Sequence, residues 1–153
     1  MNEDMIEIIH QAARLHDVGK IGIPERVLNK AGSLTDEECE MIKGHVEASI
    51  DIIRHLPSLD YVIPAVIGHH ERYDGKGYPD GLCGEEIPME ARIIAVADAY
   101  DAMSSRRSYR DELPQSQVRS EVEKGKGTQF DPKFAEIMLR MIDEDTEYQM
   151  REY

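Results

Sequence analysis

The chain has no tryptophan and only two phenylalanines among its 153 residues. Its core must therefore rest on Ile, Leu, Val, Met and Ala, and an apolar content of 41% excludes disorder. Two isolated cysteines, Cys39 and Cys83, exclude a disulfide framework and a CxxC zinc site, and read as free thiols in a reducing compartment. No apolar run approaches the ~18 residues that a membrane span needs, and the acidic N-terminus does not resemble a signal peptide. A cytoplasmic protein without a membrane partner is expected. Lys and Arg number 18 against 31 Asp and Glu, a formal charge of -13 that argues against a nucleic-acid polymer as ligand. An anionic substrate would need local cations to reverse that field, and bound divalent metals are the obvious source. Linker tracts, internal repeats, low-complexity segments and strand-like alternation are all missing. One domain over 1–153 is expected, all-α, a helical bundle with a motif-bearing core at about 8–143 and an acidic, solvated tail at 143–153.

What is present has helical period. Ile9, Ala12, Ala13 and His16 share one face of a first helix that Gly19 should end. Thr35 with Glu38 fits a capping box that opens a helix toward Arg54. A third helix is expected from about Leu59 to His70, with Pro64 in its first turns, and a fourth from Pro88 to Ser104. Pro114 and Pro132 mark two further starts, the last helix carrying Phe134, Ile137, Met138, Met141 and Ile142 in phase. The segments 19–33 and 73–87 read as long loops, which suggests work rather than mere connection.

Several polar residues sit on apolar stripes. His45 shares its face with Met41, Ile42, Ala48, Ser49 and Ile52, Asp98 with Ala91, Ile94, Ala95 and Ala102, and His70 with Ile63, Val66 and Ile67. His16 continues the first stripe, with Asp17 beside it, and His69 precedes His70. His10 and His55 have no such companions and read as surface residues. A buried carboxylate is unfavourable unless a charge or a metal meets it. If the helices pack together, His16, Asp17, His45, His69, His70 and Asp98 converge as nitrogen and oxygen ligands. Ligation without thiolate favours iron, manganese, nickel, cobalt or zinc over a structural Cys-type zinc, and the number of ligands favours two or more ions. Such a centre turns water into a hydroxide nucleophile and offsets charge on a phosphodiester. Lys20, close behind Asp17, is placed to meet a phosphate oxygen.

The motifs HDVGK (16–20), HHERYDGKGYP (69–79) and VADAYDAM (96–103), followed by RRSYR (106–110), resemble the HD-GYP branch of the HD phosphohydrolase superfamily. The likeness runs from about Ala12 to the final helix. It implies an all-α domain that hydrolyses cyclic di-GMP to pGpG or GMP through two or three divalent ions, most often iron or manganese. By position it implies metal ligation by the same six residues, with Asp17 and Lys20 as catalytic groups. Lys20, Gly77, Tyr78, Pro79, Asp101, Arg107 and Arg110 match substrate-binding positions. Tyr78 would stack on a guanine or simply pack the loop, and Asp101 would contact substrate or orient a ligand. A GGDEF-domain protein is an implied partner.

One departure stands out. Members of that family carry a further ligand-bearing helix ahead of the first helix seen here, so an N-terminally truncated domain is expected. Self-association through the surface left bare would follow. Two other functions stay open: a regulatory module that binds nucleotide or a GGDEF-type partner without turnover, and a phosphohydrolase for another nucleotide.

Overall fold

The computed structural model describes residues 2–105 and 112–150. Among these the secondary structure is helical, with β-pairing confined to two isolated bridges, Asp74 with Cys83 and Lys126 with Phe130. The helices are α1 (Glu3–Leu15), α2 (Glu25–Leu28), α3 (Asp36–Lys43), α4 (His45–Ile53), α5 (Ile63–Gly68), α6 (Met89–Ser104), α7 (Gln115–Gly125) and α8 (Pro132–Glu144). Short 3-10 turns occupy Val18–Gly22, Pro57–Val62 and Gly84–Glu86.

Local chemistry explains the boundaries. Asn2 caps α1 by accepting from the Met5 amide at 3.0 Å, and Glu3 and Asp4 complement the positive end of the helix. The capping box at Thr35 and Glu38 is present, but the helix it opens is interrupted. Regular structure stops at Lys43 and resumes at His45 across Gly44. The buried face of α4 runs through His45, Val46, Ser49, Ile50 and Ile53, and Met41 and Ile52 lie off it, 42% and 39% exposed. Pro64 falls in the first turn of α5, while the chain before it is a 3-10 turn rather than the α-helix expected from Leu59. The first helix ends at Leu15, one turn earlier than Gly19 suggested. Residues 19–33 are less open than expected, because a 3-10 turn and α2 fill half of them.

Two apolar clusters make up the core. One joins Ala12, Val46, Ile50, Ile53, Val62, Ala65, Val66 and Ile94. The other joins Val96, Tyr100, Val118, Val122, Phe130, Ala135, Met138, Leu139 and Ile142. Helix α6 contributes to both and is the spine between them, so it is apolar on more than one side. The Arg92–Asp131 ion pair (2.6 Å), with Asp131 buried and Arg92 partly exposed, joins α6 to the start of α8, where Asp131 also caps the Lys133 amide. In α8, Ile137 and Met141 lie at the rim, 37% and 44% exposed, and leave Met138 and Ile142 to the core. The acidic tail does not simply fray: Asp145 accepts from the amides of Gln149 (2.7 Å) and Met150 (2.9 Å), and Met150 packs back on the core. No described helix is long and apolar enough to cross a membrane.

Candidate metal centre

Four helices bring the candidate ligands together. His16 and Asp17 leave the end of α1, His45 opens α4, His69 and His70 end α5, and Asp98 lies in α6 on the stripe of Ala91 and Ile94. The turn carrying His16 and Asp17 is held by Ser49, which is fully buried on α4. Ser49 Oγ accepts from the Gly19 amide at 2.8 Å and donates to the His16 carbonyl at 3.0 Å. Gly19 can be nothing larger, since a Cβ there would stand 2.2 Å from the His45 carbonyl oxygen and 2.5 Å from the Ser49 nitrogen.

Each of three rings is oriented by the carbonyl three residues before it, His45 by one on the preceding helix α3. Nδ1 of His16, His45 and His69 lies 2.8, 2.6 and 2.6 Å from the carbonyl oxygens of Ala13, Ile42 and Val66. A carbonyl can only accept, so Nδ1 carries the proton in each ring and Nε2 is turned to the centre. There Nε2 of all three, together with Asp17 Oδ1, is buried without a hydrogen-bond partner. Asp17 approaches His16 Nε2 at 3.4 Å and His45 Nε2 at 3.2 Å, but not in hydrogen-bond geometry. His70 completes the group, its ring centroid 4.0 Å from that of His69 and 5.0 Å from that of His45.

The atoms fall into two sets. One ligand atom each from Asp17, His45, His69 and His70 lie within 4.8 Å of one another, and so do those of His16, Asp17 and Asp98. Asp17 belongs to both sets. Orphaned buried nitrogens aimed at a shared carboxylate suit a divalent cation better than they suit one another.

The electrostatics of the metal-free protein show the same tension. Burial opposes protonation of His16, but the carboxylates of Asp17 and Asp98 outweigh it and push His16 up to about 10. Burial likewise works against the charge of Asp17, yet His16, His45 and Lys20 hold it well below the usual carboxylate range. Burial and the neighbouring His70 push His69 down to about 3, and burial with His45 pushes His70 down to about 4.

The residues expected around the substrate divide. Lys20 pairs with Asp17, so its ammonium sits at the edge of the cluster. Tyr78 lies against the cluster, its ring stacked on His70 at 4.9 Å between centroids, with the Lys43 ammonium 5.7 Å from the ring centre. Gly77 has a steric reason: a Cβ would meet the Arg72 nitrogen at 2.3 Å and Glu71 Cα at 2.5 Å. Pro79, joined to Tyr78 by a cis bond, is exposed on the rim of a neighbouring groove. Asp101 is exposed and accepts from Ser105 Oγ at 2.8 Å instead of turning to the cluster. Arg107 and Arg110 lie outside the described residues. Beside His69, His70 and Asp98 opens a cavity of about 380 Å3, bounded also by Arg72, Met103, Glu121, Gln129 and Phe130.

Sequence reasoning missed Glu71, which is 3% exposed and lines the same cavity. Its signal was its place next to His70, where a charged side chain following two inward imidazoles has little room to reach solvent. It also missed the tie between the Tyr73–Ile87 segment and the turn before α8. There the Tyr73 and Asp74 amides donate to Gln129 O (3.2 Å) and Thr128 O (2.8 Å).

Residues 2–134 match the HD domain family. The chain is 42% identical over 142 residues to a cyclic di-GMP phosphodiesterase response regulator of Xanthomonas campestris, covering 92% of this chain and 38% of that protein. It is 42% identical over 154 residues to a cyclic di-GMP phosphodiesterase of Thermotoga maritima, covering 99% and 42%. It is also 40% identical over 146 residues to the 3'3'-cGAMP-specific phosphodiesterase 2 of Vibrio cholerae, covering 93% and 28%. The chain thus spans about two fifths or less of these relatives. On a match that covers most of its length, the chain belongs to the HD domain family.

Proposed function

We propose that this chain is a metal-dependent phosphodiesterase that hydrolyses cyclic di-GMP to pGpG or GMP. The observation that carries the reading is the convergence of buried, unpartnered Nε2 atoms on the carboxylate that the two ligand sets share. In this reading His45, His69, His70, His16, Asp17 and Asp98 would hold the divalent ions, with Asp17 common to both ligand sets. Iron or manganese suits a nitrogen and oxygen set without thiolate. Bound there, such ions supply an activated water and positive charge opposite the phosphate oxygens. The protein's own part is orientation and charge. The three carbonyl-bound imidazoles are fixed before any ligand arrives, which limits the reorganisation needed when charge develops. Lys20, paired with Asp17 at the edge of the cluster, would be the cation that meets a phosphate oxygen. The cavity beside His70 and Asp98 takes the part of the nucleotide next to the reacting phosphate.

The names of the relatives support a phosphodiester of a cyclic dinucleotide as substrate, and they favour a second candidate, 3'3'-cGAMP. The test is turnover of cyclic di-GMP, 3'3'-cGAMP and cyclic di-AMP after anaerobic loading with iron or manganese, with products resolved by chromatography. Linear product from cyclic di-GMP that disappears in His70→Ala supports the reading. Product from 3'3'-cGAMP alone replaces the substrate. Metal binding without turnover of any of the three sinks catalysis and leaves a binding module.

A further inference from the structure

Glu71 is a buried acid next to the proposed metal set that the set does not use. Only 3% of it is exposed, and it follows directly on His70. One oxygen, Oε1, accepts from the amides of Asp80 (2.7 Å) and Gly81 (3.1 Å), on the far side of the Gly77-Tyr78-Pro79 loop. The other, Oε2, is buried and has no hydrogen-bond partner. The loop is pressed onto the same turn at two more points: the Tyr78 amide donates to the His70 carbonyl at 3.3 Å, and Gly77 lies against the backbone of residues 70–72.

These facts separate two jobs. Two amide donors converging on one carboxylate oxygen form a clamp between the end of α5 and the loop, and the clamp holds the Tyr78 ring against His70. Oε2 does no clamping. A carboxylate oxygen out of reach of water and without a donor is an unfavourable state, and native proteins tolerate few of them. A donor that arrives with a ligand relieves it, so the strength of that interaction is gained on binding instead of being spent on folding.

We propose that Glu71 is a positioning residue whose Oε1 fixes the Tyr78 loop over the metal cluster and whose Oε2 accepts a hydrogen bond from a donor present only in the loaded site. The chemistry of that donor is a polarised O–H or N–H group. A water held by a cation and a hydroxyl or base N–H of the dinucleotide both qualify, and they are separable by experiment. The inference rests on the metal-binding part of the proposed function and not on turnover.

Two substitutions divide the jobs. Glu71→Gln keeps a carbonyl oxygen for the Asp80 and Gly81 amides but puts an NH2 group, which cannot accept, where Oε2 was. Glu71→Ala removes both. Hydrogen exchange by NMR reads the clamp directly at the Asp80 and Gly81 amides. Electron paramagnetic resonance of added Mn2+ reads metal affinity, and equilibrium dialysis with cyclic di-GMP in the presence of Ca2+ reads nucleotide affinity. The expected result is that Glu71→Gln retains wild-type protection of both amides while one affinity falls about tenfold, the worth of one charge-assisted hydrogen bond. A fall in Mn2+ affinity assigns the donor to a cation-held water, and a fall in nucleotide affinity alone assigns it to the substrate. Glu71→Ala adds faster exchange at both amides. Wild-type affinities for both ligands in Glu71→Gln overturn the proposal, and so does unchanged protection in Glu71→Ala with native circular dichroism. A wild-type protein that binds Mn2+ but turns over no dinucleotide sinks the proposed function while leaving the Mn2+ arm intact.

Discussion

Ser49 is the test of how the centre is built. Replacing Ser49 by Ala removes one oxygen atom from a fully buried position and leaves the shape of α4 unchanged. That atom bonds the Gly19 amide at 2.8 Å and the His16 carbonyl at 3.0 Å. The Gly19 amide is left buried without a partner, a loss of about 1–3 kcal/mol, and the second bond adds about 1 kcal/mol. The expected destabilisation is about 2–4 kcal/mol, a large share of the roughly 5–15 kcal/mol that holds a domain together. For a chain of this size each kcal/mol moves the melting temperature by about 2–4 °C, so the metal-free variant should melt about 4–16 °C below the wild type. Urea unfolding with EDTA present gives the free energy directly, with Ser58→Ala, on an exposed turn, as the control that stays within about 0.5 kcal/mol. Mn2+ affinity should fall as well, because the loosened turn carries both His16 and Asp17. A Ser49→Ala protein within about 0.5 kcal/mol of wild type would refute the claim that this hydroxyl holds the turn, and the placement of His16 would need another cause.

Further outcomes follow from the same geometry. Asp131→Ala leaves the largely covered Arg92 guanidinium without its partner and should destabilise by about 3 kcal/mol in urea, whereas an Arg92→Met, Asp131→Leu double variant should recover most of that loss. Gly77→Ala should remain folded by circular dichroism yet lose Mn2+-dependent protection of the 73–81 segment in limited proteolysis, because the added Cβ meets backbone at 2.3 Å. The metal-free protein should be most stable near neutral pH. His69 and His70 have folded-state values near 3 and 4, so from pH 6.5 downward the unfolded chain binds protons that the folded chain refuses, and stability falls. His16, raised to about 10, contributes stability that is complete below pH 6.5 and is lost as pH climbs through 10. A flat unfolding free energy between pH 7 and 5 would contradict the first half of that profile. Addition of Mn2+ at pH 7 should raise the melting temperature and release protons, measured by calorimetry in two buffers of different ionisation enthalpy.

Much of this centre was legible before any coordinates. Period and breakers located the helices, because apolar spacing is a direct record of which face is buried. Pro88, Pro114 and Pro132 each stand at a start that the structure keeps. Polar residues on apolar stripes marked His16, His45, His70 and Asp98, since an imidazole or carboxylate among aliphatic neighbours needs a local reason. Asp17 and His69 came with them as neighbours in sequence.

Other features depend on contacts between segments far apart in the chain, which no local pattern contains. Met41 and Ile52 are exposed although their spacing matches a buried stripe, because the face that α4 packs runs through His45, Val46, Ser49, Ile50 and Ile53. Asp101 sits three residues from Asp98, a spacing that shares a helix face, and yet is exposed and accepts from Ser105 Oγ at 2.8 Å. Gly19 and Gly77 need a steric reason that exists only when α4 and the 70–72 turn lie against them. Most of all, the sequence by itself determined which side chains must be buried, and therefore that nitrogen and carboxylate groups would meet inside. Only the tertiary structure decided how they meet: three imidazoles locked by the carbonyls three residues before them, Asp17 between two ligand sets, and Glu71 holding a loop with one oxygen still unpaired. Burial is encoded locally by hydrophobic period, whereas convergence depends on the directions in which packed helices approach one another.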